Sequence, residues 1–362
     1  MSHEDIPIID AELYLEKKEG WEEECKKVAD SFHRFGILKF KDPRVVAKDN
    51  DDYIDLVEKY FDVTSKKFYA GEELKDCRAD LCYQTGVTPE GIEHARNHQA
   101  LVDSLTGEDK PMSVQPPVKD AKWRFFWKIG ERPEEVKDDI PQTYPEDFPT
   151  WEKEMDKWGN QMINATFLAA EMAAIGMGLD KDFFTSRMQG GPHLLAPTAS
   201  DIMKYPVGTA FASFHYDLNF ITIHGKSRYP GLYLWTREWK KQPVKIPDGC
   251  LLLQAGIMFE QLTGGYVMAG YHEVMYTEAT KAVVEKKLEE NKNGANNIMW
   301  RISSTLFGHL RYNVDLTPLE ELKHLHNQEN IAAGKYKKMT AHEKLMEELA
   351  AISLAPKMTI ES

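Results

Sequence analysis

The sequence predicts an α+β chain with a mainly β core: a β-sandwich or barrel over residues 195–315, preceded by a helical, loop-rich part and followed by C-terminal helices. Three observations predict it. Short runs rich in Val, Ile, Leu, Phe and Tyr, such as "GLYLW", "GCLLLQAG", "YVMAG" and "WRISSTLFGHL", are bounded by Gly, Pro, Asp and Asn at close spacing. Long amphipathic periodicity falls mainly outside that region. No Gly/Ser linker, fixed-period repeat or low-complexity block divides the 362 residues, so they read as a single domain, 1–362, with parts at 1–190, 195–315 and 316–362.

The elements follow in order. "IPIID" is a short extended start. Over residues 20–33, Trp21, Cys25, Val28, Ala29 and Phe32 form one helical stripe that Gly36 stops, and "GILKF" follows as a strand. A second helix covers about 51–69. Residues 77–148, with "TPEG", "KPMSVQPP" and "DDIPQTYPEDFP", read as loops and short strands. The longest helix is expected at 150–175, where Trp151, Met155, Trp158, Met162, Phe167 and Ala170 share a face and Gly176 and Gly178 end the pattern. Within the β region, "TEATKAVVEKKLEENKNG" is a charged, helix-like excursion closed by Asn293-Gly294. The tail, 317–352, is helical, with a capping box at Thr340 and Glu343.

Composition narrows the function. Against 58 acidic residues stand 45 Lys and Arg, a net charge of −13, which disfavours a nucleic-acid partner held by phosphate contacts. The pairs Lys240-Lys241 and Lys337-Lys338 are diluted by acids and read as solvated surface. Cys25, Cys77, Cys82 and Cys250 form no CxxC pair, and the N-terminus lacks a basic and apolar leader, so a cytoplasmic location without a membrane anchor is expected.

The chemistry concentrates in "SFHYDLNFITIHG", residues 213–225. On a strand, residues i and i+2 face the same way, so His215 and Asp217 converge, and an ion is what makes an imidazole and a carboxylate tolerable there. His272, after the Gly264-Gly265 turn and at the head of a β-like run, is the best-placed third ligand. His224 lies an odd number of residues from His215, which turns it to the opposite face of a continuous strand. The other histidines fall in loops or helices. Two imidazoles and one carboxylate on one side of an ion match the facial triad of non-haem Fe(II) oxygenases; a catalytic Zn site is the competing use of such donors. In "WRISS", Arg301 and Ser303 again share a face. A guanidinium inside a β core calls for an anion, either a dicarboxylate or keto-acid ligand or a protein Asp or Glu.

His-x-Asp, a distant His and then Arg-x-Ser together resemble the Fe(II)- and 2-oxoglutarate-dependent dioxygenases, in the branch similar to isopenicillin N synthase. "IPIID", "FHRFGILKF", the "KYP" at 204–206 and "GLYLW…PVKIPDGCLLLQAGIMFEQLTGGYVMAGYHEV" follow that branch's order, so the likeness covers most of the chain. It implies a distorted double-stranded β-helix (jelly roll) with Fe(II) on His215, Asp217 and His272, and 2-oxoglutarate on Arg301 and Ser303. Tyr205 of "KYP" would bond the co-substrate or line the pocket, or else simply fill the barrel. The reaction implied is O2-driven oxidation of a C–H bond in a small metabolite: hydroxylation, desaturation or ring formation. The alternative is an isopenicillin N synthase-like oxidase that uses O2 without 2-oxoglutarate. Two departures stand out: Met203 replaces an Asn that many plant members carry, and the excursion enlarges the link between His272 and Arg301. For the substrate, an amino acid, peptide or other carboxylated metabolite, the candidates are Arg96, Arg124 and Phe214. Salt bridges account equally for the two arginines, and core packing for Phe214.

Overall fold

The structure, a computed structural model, describes residues 5–132, 140–290, 298–352 and 354. Fourteen strands are seen among the described residues: β1 (Ile8–Asp10), β2 (Ile37–Lys41), β3 (Gly86–Thr88), β4 (Trp123–Lys128), β5 (Leu194–Leu195), β6 (Thr198–Asp201), β7 (Ala210–His215), β8 (Ile221–His224), β9 (Leu232–Trp235), β10 (Lys241–Pro243), β11 (Leu251–Ala255), β12 (His272–Met275), β13 (Trp300–Ser303) and β14 (Thr305–Gly308). They form a mixed α/β architecture with two sheets. The large one runs β1-β2-β11-β8-β14-β5-β4-β6-β13, with β3 beside β4, and the small one runs β10-β9-β12-β7.

Helices buttress the large sheet. Trp21–Phe35 buries Cys25, Val28, Ala29 and Phe32 and stops at Gly36, whose φ is +66°. A Cβ there would lie 2.7 Å from the Met268 carbonyl oxygen, so the position admits only glycine. The helix Trp151–Gly176 runs behind β8 and β14 with Trp151, Met155, Trp158 and Met162 buried. Each such side chain contributes roughly 1.5–3 kcal/mol by leaving water, so the stripe reads as core. The second long helix, Ala47–Tyr69, begins four residues before the expected 51, and the Val46 N–H ahead of it is held by Gln161 Oε1 at 2.9 Å. The excursion forms the helix Glu278–Glu290; its expected Asn293-Gly294 stop lies outside the described residues. Ala341–Ala351 carries the capping box at Thr340 and Glu343. Among the described residues, no helix is long and apolar enough to cross a membrane.

Two expectations are corrected. "SFHYDLNFITIHG" is not one strand: β7 ends at His215 in the small sheet, β8 begins at Ile221 in the large one, and residues 216–220 cross between them. Asn219 fixes the crossover by donating to the Gly308 carbonyl at 3.1 Å and accepting from the Thr222 hydroxyl at 3.0 Å. "YVMAG" is not a strand either. After β11 the chain turns into the short helix Ile257–Leu262, and the Glu260 carboxylate then captures the Ala269 N–H at 2.9 Å, giving that backbone a partner without a ladder.

Candidate metal centre

His215, the last residue of β7, is the direct cross-strand partner of His272, the first of β12, and their ring centroids are 4.2 Å apart. Asp217, in the crossover, turns its Oδ1 to 3.7 Å from His215 Nε2. One ligand atom from each of the three residues lies within 4.8 Å of the other two. The convergence expected of one strand is thus reached by a strand end and the bend after it.

Each imidazole is held by main chain. His215 Nδ1–H donates to the Ser213 carbonyl at 2.6 Å and His272 Nδ1–H to the Gly270 carbonyl at 2.8 Å. A carbonyl only accepts, so both rings leave Nε2 unprotonated, as a metal ligand requires. Burial, then the neighbouring His272, pushes the His215 pKa well down. Burial raises the Asp217 carboxyl, and only positive charge beside it, which the His272 and His215 rings supply when protonated, holds it below the usual range. Asp217 Oδ2 is buried without a hydrogen-bond partner. An orphaned carboxylate oxygen between two neutral imidazole nitrogens is costly unless a cation takes it, so the donor set fits a divalent metal.

A cavity of about 360 Å³ opens from these ligands between the two sheets, with Ala212, Leu232 and Val274 on the small-sheet side and Ser200, Arg301 and Thr305 on the large. Arg301, paired in register with Ser200, is 7 % exposed. Its Nε donates to the Pro230 carbonyl at 3.3 Å, and no carboxylate of the described residues pairs with it. Burial lowers its pKa to about 10. Ser303 Oγ lies 3.1 Å from Thr305 Oγ1 and 3.1 Å from His224 Nδ1. His224 Nε2 is 2.5 Å from Gln254 Oε1, an acceptor, so Nε2 carries the proton and Nδ1 accepts from the hydroxyls. Burial brings its pKa down to about 4. His224 therefore faces the same interior as the triad, contrary to the continuous-strand argument, yet it is outside the group of converging ligands.

A second cavity, about 150 Å³, meets the first at Lys122, Arg124, His215, Asp217 and Phe307. Arg124 pairs with buried Glu93 at 3.1 Å and lies 5.5 and 5.3 Å from the Phe126 and Phe307 ring centroids. Lys122 shares Glu93 at 3.3 Å and meets Asp120 at 2.8 Å. Arg96 also lines this cavity, bonded to Glu348 at 2.7 Å. Two expected residues lie elsewhere. Phe214 is fully buried against Trp235, ring centroids 4.6 Å apart, and lines neither cavity. The Tyr205 hydroxyl donates to Glu90 at 2.5 Å, also outside both, and Met203 beside it is 55 % exposed. Sequence reasoning passed over Lys122, Glu93, Asp120 and Thr305, although "KWR" carries the same i, i+2 spacing as His215 and Asp217.

No family model and no curated protein matches the chain. Solved structures do. A 2OG-Fe(II) oxygenase family protein from Caulobacter crescentus aligns with TM-score 0.70 at 20% identity, covering 96% of this chain and 99% of that one. A full-length Neurospora crassa protein, in complex with alpha-KG, aligns at 0.69 and 16% identity, covering 97% and 98%. This chain has the fold of the 2OG-Fe(II) oxygenases. The rice dioxygenase for auxin oxidation shares that fold at TM-score 0.64 and 16% identity, over 96% and 95% of the two chains.

Proposed function

We propose that this protein is a non-haem Fe(II)- and 2-oxoglutarate-dependent oxygenase of the isopenicillin N synthase-like branch, a single domain around a jelly roll, acting on a small metabolite in a reducing cytoplasm. His215, Asp217 and His272 hold the iron. With 2-oxoglutarate and O2, bound iron supplies oxidative decarboxylation of the keto acid coupled to oxidation of a substrate C–H bond. Arg301 binds the distal carboxylate of 2-oxoglutarate, with the Ser303 hydroxyl beside it. The Ser213 and Gly270 carbonyls keep the two ligand nitrogens open, and Phe307 walls the meeting point of the cavities against water. The observation that carries the reading is Arg301: a buried guanidinium in the cavity of the triad, without a carboxylate partner among the described residues. A hydrolytic Zn site gives it no role.

The second cavity receives the substrate. Its lining joins Arg96, Lys122 and Arg124, each already paired with Glu348, Glu93 or Asp120, to the apolar side chains of Phe126, Leu345 and Leu349, so a small carboxylated metabolite, an amino acid or peptide among them, would enter by competing for one of these pairs. The Neurospora crassa protein has been crystallised with alpha-KG together with thymine or 5-formyluracil, both of them small molecules. The test is succinate formation by the Fe(II)-loaded protein under O2 with candidate carboxylated substrates. Succinate that depends on added 2-oxoglutarate supports the reading; substrate oxidation that proceeds without it assigns the oxidase chemistry instead.

A further inference from the structure

We infer that Asp120, remote from the metal ligands in sequence, is a positioning residue for the ferrous centre, acting on His215 through Ser213. The inference rests on the metal-centre reading above. β7 is the edge strand of the small sheet, with a neighbour on one side only. Two of its N–H groups just ahead of His215 are taken by side chains from residues 113 and 120 instead of by another strand. Phe214 N–H donates to Ser113 Oγ at 2.9 Å, and Ser213 N–H donates to Asp120 Oδ1 at 3.0 Å. The same Oδ1 accepts from the Ser213 hydroxyl at 2.7 Å, so one carboxylate oxygen grips Ser213 twice. The Ser213 carbonyl in turn accepts His215 Nδ1–H at 2.6 Å. Asp120 is 2 % exposed, and its other oxygen is fixed by Lys122 at 2.8 Å.

The chain of contacts fixes the plane and tautomer of the His215 ring, because the carbonyl that orients the ring belongs to the residue Asp120 holds. The peptide that carries this carbonyl is tied down separately, its Phe214 N–H donating to Ser113 Oγ, so the acceptor that His215 Nδ1–H meets is fixed from both sides. Without Asp120, Lys122 and Arg124 would have Glu93 alone to share, leaving one positive charge in excess close to the ligand set.

The experiment is a titration of the full-length, metal-free chain with Co(II), followed by visible absorption, alongside thermal melting of each variant. Loss of such an orienting partner weakens metal binding about 10–100-fold in comparable sites. Asp120→Ala is expected to fall in that range with altered Co(II) bands, and Asp120→Asn, which keeps an acceptor for Ser213 without the charge, between it and the parent. Ser213→Ala, losing only the hydroxyl bond, should bind a few-fold more weakly. A folded Asp120→Ala protein with parental affinity and spectrum overturns the inference. Should that variant fail to fold, parental affinity in both Asp120→Asn and Ser213→Ala overturns it. Lower melting temperatures with unchanged Co(II) affinity mean a merely structural role and overturn it as well. A parent chain that binds no Co(II) refutes the metal-centre reading itself and takes this inference with it.

Discussion

Arg301→Met separates what the guanidinium does for the ligand from what it does to the empty protein. The side chain is 7 % exposed and has one hydrogen bond, to the Pro230 carbonyl. Burial lowers its pKa to about 10. At about 1.4 kcal/mol per unit, that displacement corresponds to roughly 3 kcal/mol of unfavourable burial of the charged form. Met keeps the stem and removes the charge, so the metal-free, ligand-free variant should melt no lower than the parent. An entropy of unfolding near 2.1 cal/mol/K per residue turns 3 kcal/mol into a rise of roughly 4 °C for a chain of this length. The effect on 2-oxoglutarate runs the other way. Leaving one partner of a buried charge pair alone costs about 3–5 kcal/mol, or 10²–10³·⁵ in affinity. Calorimetric titration of the Co(II)-loaded protein with 2-oxoglutarate reads the second effect, and differential scanning of the metal-free protein the first. Affinity within threefold of the parent, or a variant that melts several degrees lower when empty, would refute the assignment of Arg301 as the anion site.

Other outcomes follow from the same geometry. Asp217→Ala and His215→Ala should each lose turnover to background; the metal-free Asp217→Ala protein should melt at or above the parental temperature, since Asp217 Oδ2 has no hydrogen bond to lose, whereas His215→Ala gives up its bond to the Ser213 carbonyl and should melt lower; retained turnover in either variant removes the triad. Tyr205→Phe should leave the KM for 2-oxoglutarate within twofold and cost about 1 kcal/mol of stability, because its hydroxyl serves Glu90 outside both cavities; a large rise in KM would return Tyr205 to the co-substrate site. Acid should destabilise the fold through His193 and His309. Both are buried, burial lowers their pKa values to about 4 and about 3, and His193 Nδ1 must stay unprotonated to accept the His309 N–H at 3.0 Å. The unfolded chain takes up these protons below pH 6.5 and the folded one does not, so stability is full above 6.5 and declines as pH falls towards 4. The two residues together account for about 4 kcal/mol at pH 5. A melting temperature that stays level from pH 7 to pH 5 contradicts this.

Periodicity made most of the framework legible. Trp21–Phe35, Trp151–Gly176 and the Thr340 cap fall where stripes and capping chemistry put them. His215, Asp217 and His272 were readable because polar groups in an apolar β run demand a partner. The crossover at residues 216–220 was hidden because Tyr216, Leu218 and Phe220 carry an alternating apolar pattern through it, with Asp217 and Asn219 falling between them as in a strand. His224 was misplaced for the same reason: parity along a strand has meaning only while the strand lasts. Tyr205 and Phe214 were drawn in by motif and by neighbourhood, but their surroundings are set by Glu90 and Trp235, residues that no local pattern brings near. Glu93, Asp120, Lys122 and Arg124 form a cluster whose links to β7 span about ninety positions, and a distance of that kind is settled by tertiary pairing alone.

The meeting of two chambers at Lys122, Arg124, His215, Asp217 and Phe307 has a kinetic consequence. A guest in the Arg301 chamber leaves the Arg96 chamber vacant, so neither guest must depart before the other arrives. If the keto acid and the substrate take these chambers as proposed, inhibitors should sort into two sets: small dianions that rival the keto acid alone, and apolar acids that rival the substrate alone. A molecule long enough to bridge the shared floor would defeat both at once.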